Sequence, residues 1–276
     1  MLAEVIALYR RMQGQNVFYP FGFDDNGLTK ERLVEREEDI CSGSLQRSAF
    51  AQKCEKTAER YEEDFQAFWR SLGFSVDWSS QYRTISPAVQ KISQELFLEL
   101  ARKDKAYTKE SPVLWCCECQ TSIAQAELDT ADIPSTFSHI PFTVDGQPLV
   151  VATTRPELLF GCVCLFVNPL DERYQGYIGK SAVVPLYWYE IPILADEKGG
   201  MDEGTGVVMC ATFGDSTDAQ WYAEYQLPYR RVILQNGTSA DDVPFIGGRS
   251  VTDARAEIPR LLDARGLLLQ SESILH

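Results

Sequence analysis

The chain has 276 residues, 45% of them hydrophobic and 24% charged, with a formal net charge of −14. That is apolar material for one large domain or two ordinary ones, and no apolar run approaches the ~18 residues of a membrane span. Residues 1–140 hold 16 basic and 22 acidic side chains, and residues 141–276 hold 10 and 18. Neither half is therefore a general nucleic-acid binder that works by phosphate neutralisation, and any nucleic acid is expected to meet a local patch.

The opening "MLAEVIALYRRMQG" places Leu2, Val5, Ile6, Tyr9 and Met12 on one helical face. Its positive charges follow the apolar part and no cleavage site appears, so it is not a signal peptide. A cytoplasmic chain is expected, with its eight cysteines as reduced thiols or metal ligands. A short strand is predicted at Val17–Tyr19, then the turn "GFDDNG", then a charged helix. Asp24 in that turn reads either as a turn and capping residue or as a carboxylate at a strand end, suited to an amino group. A helix over Lys53–Leu72 carries Tyr61, Phe65, Phe68, Trp69 and Leu72 on its inner side. A loop with two aromatics follows, and Pro87 opens a helix with Val89, Ile92, Leu96, Phe97 and Leu100 at helical spacing.

Near Lys109 the character changes. Cysteines cluster, and strand-like runs then alternate with Gly/Pro/Asp turns: "PFTVDGQPLVVATT", "CVCLFV", "SAVVPLYWYEIPILA", "TGVVMCAT" and "RRVILQ". This pattern predicts a barrel or a small mixed β domain after a mainly helical α/β part, with the junction near Thr130–His139. Val144–Gln147 is a hairpin signal, and the closing helix is expected to end at Gly266. Cys116 and Cys119 form one Cys-x-x-Cys with no second pair at suitable spacing, leaving three readings: an empty half-knuckle, bound zinc, or a redox pair.

Two strand-to-helix corners share a grammar. In "VVATTRPELLFG", Thr154 and Glu157 have capping-box spacing and Pro156 suits a first helical turn. In "GTGVVMCATFGDSTDAQWYAEY", the β run ends at Thr212, Asp215 is placed to cap a helix, and Asp218 lies in its first turn. Strand ends that feed helix N-termini are also where ligands dock. If both corners face one pocket, it holds hydroxyls, a cation and carboxylates. That set suits a zwitterionic or ester-linked amino acid and is poor for metals. With histidine only at His139, in an expected linker, and at His276, a Ser-His-Asp or Cys-His device is improbable. There is no Walker loop and no Gly-x-Gly-x-x-Gly.

The segments "NVFYPFGFDDNGLTKERLVE", "SLGFSVDWSSQYRTISPAVQKISQ", "PVLWCCECQTSIAQAELD", "ATTRPELLFG" and "GTGVVMCATFGDSTDAQWYAEYQLP" occur in the order seen in class I valyl-tRNA synthetases, which the chain resembles over essentially its whole length. The isoleucyl and leucyl enzymes are close relatives, and "GVVM" followed by "TFGD" looks like the archaeal type. The resemblance implies a partial Rossmann-type synthetic domain (1–115), an incomplete zinc knuckle and ribbon (116–139), and a β-barrel-like editing domain (140–276). It implies a role in hydrolysing mischarged threonyl-tRNA for valine. The need is physical: a pocket sized for valine rejects the nearly isosteric threonine poorly, a limit for which this family is itself a standard illustration. Carried over by position, Thr153, Thr154 and Arg155 line the editing pocket. Asp218 holds the substrate α-amino group, and Thr212 and Asp215 are placed to read the threonine hydroxyl. Bacterial relatives carry a lysine and a threonine where this chain has Met209 and Ala211. Asp24 matches the family residue that holds the free amino acid.

The family's His-Ile-Gly-His and Lys-Met-Ser-Lys-Ser signatures are expected outside this stretch, as is the partner of the Cys116/Cys119 pair. ATP-dependent charging is thus not expected of the chain alone, ATP belongs to the full-length enzyme, and editing needs no cofactor. The expected partners are the acceptor end of tRNA(Val) and an amino-acid ester, with no membrane, the chain being monomeric or part of a larger synthetase. Two other readings stand beside this one: a non-catalytic module that binds tRNA or a protein, and an editing domain of isoleucyl or leucyl type.

Overall fold

The computed structural model describes residues 2–202 and 204–275. The chain divides into two compact units at Glu110/Ser111, so the cysteine loop belongs with the β-rich part. His276 lies outside the described residues.

The first unit comprises α1 (Leu2–Met12), β1 (Pro20–Phe23), α2 (Leu28–Glu38), α3 (Arg47–Ser71), β2 (Asp77–Arg83) and α4 (Pro87–Arg102). β1 and β2 pair in parallel, and the connection between them runs through α2 and α3. This helical crossover between parallel strands is the repeating unit of Rossmann-type folds. The strand begins at Pro20 rather than at Val17, and the expected loop with two aromatics contains β2. Trp78 of β2 packs on Phe21 of β1 with ring centroids 5.1 Å apart, so the aromatics that resemble loop decoration are cross-strand partners. Ser86 caps α4, with Pro87 in its first turn.

The apolar stripes of this unit are helical but do not face inward. Leu2, Val5, Ile6, Tyr9 and Met12 of α1 are exposed, as are Phe65, Phe68 and Leu72 near the end of α3 and Ile92, Leu96, Phe97 and Leu100 of α4. α1 is held instead by buried Ala7 and by Glu4, whose carboxylate accepts the Ser75 N–H at 2.8 Å.

The second unit contains the short β3 (Trp115–Cys116) and β4 (Thr121–Ser122), then β5 (Pro134–Val144), β6 (Gln147–Thr153), β7 (Cys162–Val167), β8 (Ser181–Val183), β9 (Glu190–Ala195), β10 (Val207–Ala211), α5 (Ser216–Tyr225), α6 (Val251–Asp263) and β11 (Gln270–Leu275). One seven-stranded sheet runs β10-β7-β9-β8-β5-β11, with β6 paired to β5. The β5–β6 hairpin turns at Asp145 and Gly146, with φ of 50° and 80°, as a primed two-residue turn requires. β7 is buried along its whole length, which explains its unbroken "CVCLFV". The sheet curls until β6 and β10 lie against one another without pairing, which gives a β-barrel-like unit with a seam. Its core includes Ile140, Phe142, Val151, Leu159, Leu165, Ile193, Ile258 and Leu262.

Two expectations fail in this unit. "RRVILQ" forms no named strand, only an isolated bridge from Ile233 to Ser239. His139 is not in a linker but in β5, opposite Ala152 of β6 and Gln270 of β11. Beyond the closing helix, where the sequence pattern predicts no element, Gln270–Leu275 form β11, which pairs with the start of β5 as a ribbon.

Candidate functional site

The first corner starts where β6 ends at Thr153. The turn that follows, Pro156–Gly161, is a 3-10 helix with no side-chain cap. The Thr154–Glu157 capping box does not form. Thr153 Oγ1 accepts the Arg155 N–H at 3.1 Å, while Glu157 turns inward and is only 1% exposed. There its carboxylate accepts Arg155 Nε at 3.1 Å, and Arg255 of α6 through Nη2 at 2.7 Å and Nε at 3.1 Å. Two guanidinium partners offset the desolvation of a buried carboxylate far better than one backbone N–H does.

At the second corner the expected helix geometry is present. Asp215 accepts the N–H groups of Thr217 and Asp218 at 2.7 and 2.9 Å, and α5 begins at Ser216. α5 is clamped to the sheet by Trp221, which stacks on Phe166 of β7 with centroids 4.1 Å apart. That packing fixes Asp218, which is 5% exposed and accepts the Gly214 N–H at 2.8 Å. Burial raises the Asp218 pKa to about 7, and the Asp215 charge adds to the effect against opposing hydrogen bonds from Cys210 and Gly214. Gly214 is required here, because a Cβ on it would lie 2.5 Å from Asp218 Oδ2.

The corners meet directly: the Arg155 guanidinium donates to the Gly214 carbonyl. They open on one cleft of about 440 Å³ at the seam between β6 and β10. Its polar side holds Thr153, Thr154, Arg155, Asp215 and Asp218. Its apolar side holds Val208, Met209 and Ala211 of β10, with Phe137, Ile274 and Leu275 from the β5–β11 ribbon. Thr212 is not part of this lining. Its hydroxyl accepts the Arg230 N–H at 3.1 Å and donates to the Gly161 carbonyl at 3.3 Å, so it ties the end of the Pro156–Gly161 turn to the chain at Arg230. The ribbon residues escape sequence reasoning because β11 is needed to bring them to the cleft. Arg255 escapes it because nothing local marks it.

The family model for class I tRNA synthetases (I, L, M and V) matches residues 1–251. The chain belongs to the class I tRNA synthetases. Similar relatives are the valine–tRNA ligases of Rickettsia rickettsii (43% identical over 99% of this chain and 34% of that protein), Ehrlichia canis (40%, 99% and 35%) and Haloarcula marismortui (39%, 100% and 32%). The chain thus spans about a third of the length of these relatives. Among solved structures, a LeuRS of Agrobacterium radiobacter K84 in a ternary complex with tRNA aligns at a TM-score of 0.43 and 19% identity, over 96% of this chain and 41% of that one.

Two further places in this synthetase chain, Asp24 and the Cys116/Cys119 pair, stand out in its sequence. Asp24 lines a cleft of about 510 Å³ in the first unit, together with Asp25, Lys30, Tyr61 and Glu62, and Thr84 Oγ1 lies 3.4 Å from its carboxylate. Cys116 and Cys119 flank a tight turn in which the Cys119 N–H reaches Cys116 Sγ at 3.3 Å, and this backbone bond lowers the Cys116 pKa. Among the described residues no three His, Cys, Asp or Glu side chains converge on a point that a metal would occupy. The Cys116/Cys119 pair alone does not fit a closed tetrahedral zinc site, which needs four ligands. No helix among the described residues is long and apolar enough to cross a membrane.

Proposed function

We propose that the β-rich unit hydrolyses mischarged aminoacyl-tRNA, with threonyl-tRNA(Val) as substrate, as the editing part of a valine–tRNA ligase in the cytoplasm. The observation that carries this reading is the convergence of the Thr153–Arg155 and Asp215–Asp218 corners on one cleft. The ionised Asp218 carboxylate suits the α-ammonium group of an amino-acid ester. Asp215 and the hydroxyls of Thr153 and Thr154 offer partners for a water and for a substrate hydroxyl, and Arg155 contributes positive charge beside the ester carbonyl. In the reaction water adds to the carbonyl carbon, the ester C–O bond breaks, and the ribose hydroxyl leaves with a proton. Among the described residues no histidine belongs to the lining, and water positioning and electrostatics are the resources these residues offer. Met209 and Ala211 supply an apolar wall, against which a methyl-bearing side chain fits. Asp24 is assigned to amino-acid binding in the full-length ligase, which also uses ATP. Deacylation of threonyl- and valyl-tRNA(Val) by the purified chain tests the reading, with Asp218→Ala as the control that abolishes it.

A further inference from the structure

The geometry points to Glu157 and Arg255 as positioning residues that hold the Arg155 guanidinium against the Gly214 carbonyl and so fix the spacing of the two corners. This rests on the hydrolytic reading above for its catalytic consequence, but not for its structural part.

Three observations carry it. Glu157 is fully buried, and both its oxygens are used: Oε1 by Arg155 and Arg255, Oε2 by Arg255 alone. Arg155 is held twice, through Nε by Glu157 and through Nη1 by Gly214, so its side chain bridges the corner that follows β6 and the corner that follows β10. Gly214 in turn donates its N–H to Asp218. The line Arg255–Glu157–Arg155–Gly214–Asp218 is thus continuous from α6 to the buried carboxylate. α6 itself is anchored by buried Ala254, Ile258 and Leu262, which makes it a firm base for Arg255. A lone Arg155–Glu157 pair leaves one oxygen of a buried carboxylate without a charged partner. With Arg255 the pair is bidentate and charge-compensated, the arrangement that holds a guanidinium plane in one orientation. Arg255 is not part of the cleft lining and is hydrogen-bonded to Glu157, which in turn holds Arg155, so its effect on the reaction is indirect.

The experiment compares wild type with Arg255→Met, Arg255→Lys, Glu157→Gln and the Glu157→Gln/Arg255→Met double variant, each checked for folding by circular dichroism. The first readout does not need the reaction: hydrogen exchange of the Arg155 Nε–H, by arginine-labelled NMR. It is slow in wild type, and faster by at least about tenfold in Arg255→Met and in Glu157→Gln. The second readout is single-turnover threonyl-tRNA(Val) hydrolysis. Here the rate constant at saturating enzyme falls about 10- to 100-fold in Arg255→Met with the half-saturating enzyme concentration little changed, Arg255→Lys recovers part of it, and the double variant loses no more than Glu157→Gln alone. Unchanged Arg155 exchange in a folded Arg255→Met, or in Arg255→Lys and Glu157→Gln if that variant does not fold, overturns the positioning assignment. Accelerated exchange in a protein whose wild type hydrolyses no aminoacyl ester leaves the positioning assignment standing and overturns the hydrolytic reading.

Discussion

Asp218→Asn isolates the electrostatic state of the site. The carboxyl is buried and its pKa is raised from 3.8 to about 7, chiefly by desolvation. An acid whose folded pKa is raised binds more protons in the folded state than in the unfolded state between those two values, so it lowers stability as pH rises through that window. At pH 5 the folded side chain is neutral, and above pH 7 it is ionised against the desolvation that disfavours it. Between pH 5 and pH 8.5 the added penalty is about 3 kcal/mol, two pH decades at about 1.4 kcal/mol each up to the folded value of about 7. Asparagine keeps the acceptor for the Gly214 N–H and cannot ionise. Urea unfolding of both proteins at pH 5 and pH 8.5 should therefore show Asp218→Asn gaining on wild type by roughly 2–3 kcal/mol over that interval. A difference between the two proteins that does not change with pH refutes the raised pKa of the buried Asp218 carboxyl.

Gly214→Ala should displace the Asp218 carboxylate, since the new Cβ would come within 2.5 Å of Oδ2; a loss of hydrolysis of about 100-fold in a single-turnover assay is expected, with the fold kept by circular dichroism. Thr212→Val should cost about 1–3 kcal/mol in urea unfolding, because the Arg230 N–H loses its acceptor, while the preference for threonyl over valyl ester stays as in wild type. Alkylation followed by mass spectrometry should label Cys116, whose pKa is lowered, before the buried Cys162, Cys164 and Cys210, whose thiols are raised by burial. Equal labelling of the four would contradict the described environments.

Local grammar explains which features are legible in the sequence. The Asp145-Gly146 hairpin, the Asp215 cap and the buried "CVCLFV" strand each depend on residues within a few positions, and they are readable. The Thr154–Glu157 capping box follows the same local grammar and fails, because Arg255, 98 residues away from Glu157, draws it into the interior. Helical periodicity in α1 and α4 identifies which side chains share a face, but a period carries no information on whether that face is covered. β2 is hidden by its serines and charges, which are ordinary on a half-buried two-stranded pair. β11 and the ribbon side of the cleft depend on pairing with β5 over roughly a hundred residues and more of chain, which no local pattern reveals. The motif position of Thr212 suggests a pocket residue; its hydroxyl is instead bonded to Arg230 and Gly161, outside the cleft lining.

The most direct measurement is hydrolysis of threonyl-tRNA(Val) beside valyl-tRNA(Val) by the purified chain, as wild type and as Asp218→Ala, at pH 8. Preferential release of threonine by wild type, lost in Asp218→Ala, is the predicted result. Equal rates in the two proteins, or no preference between the two esters, would contradict an editing site at the β6–β10 seam.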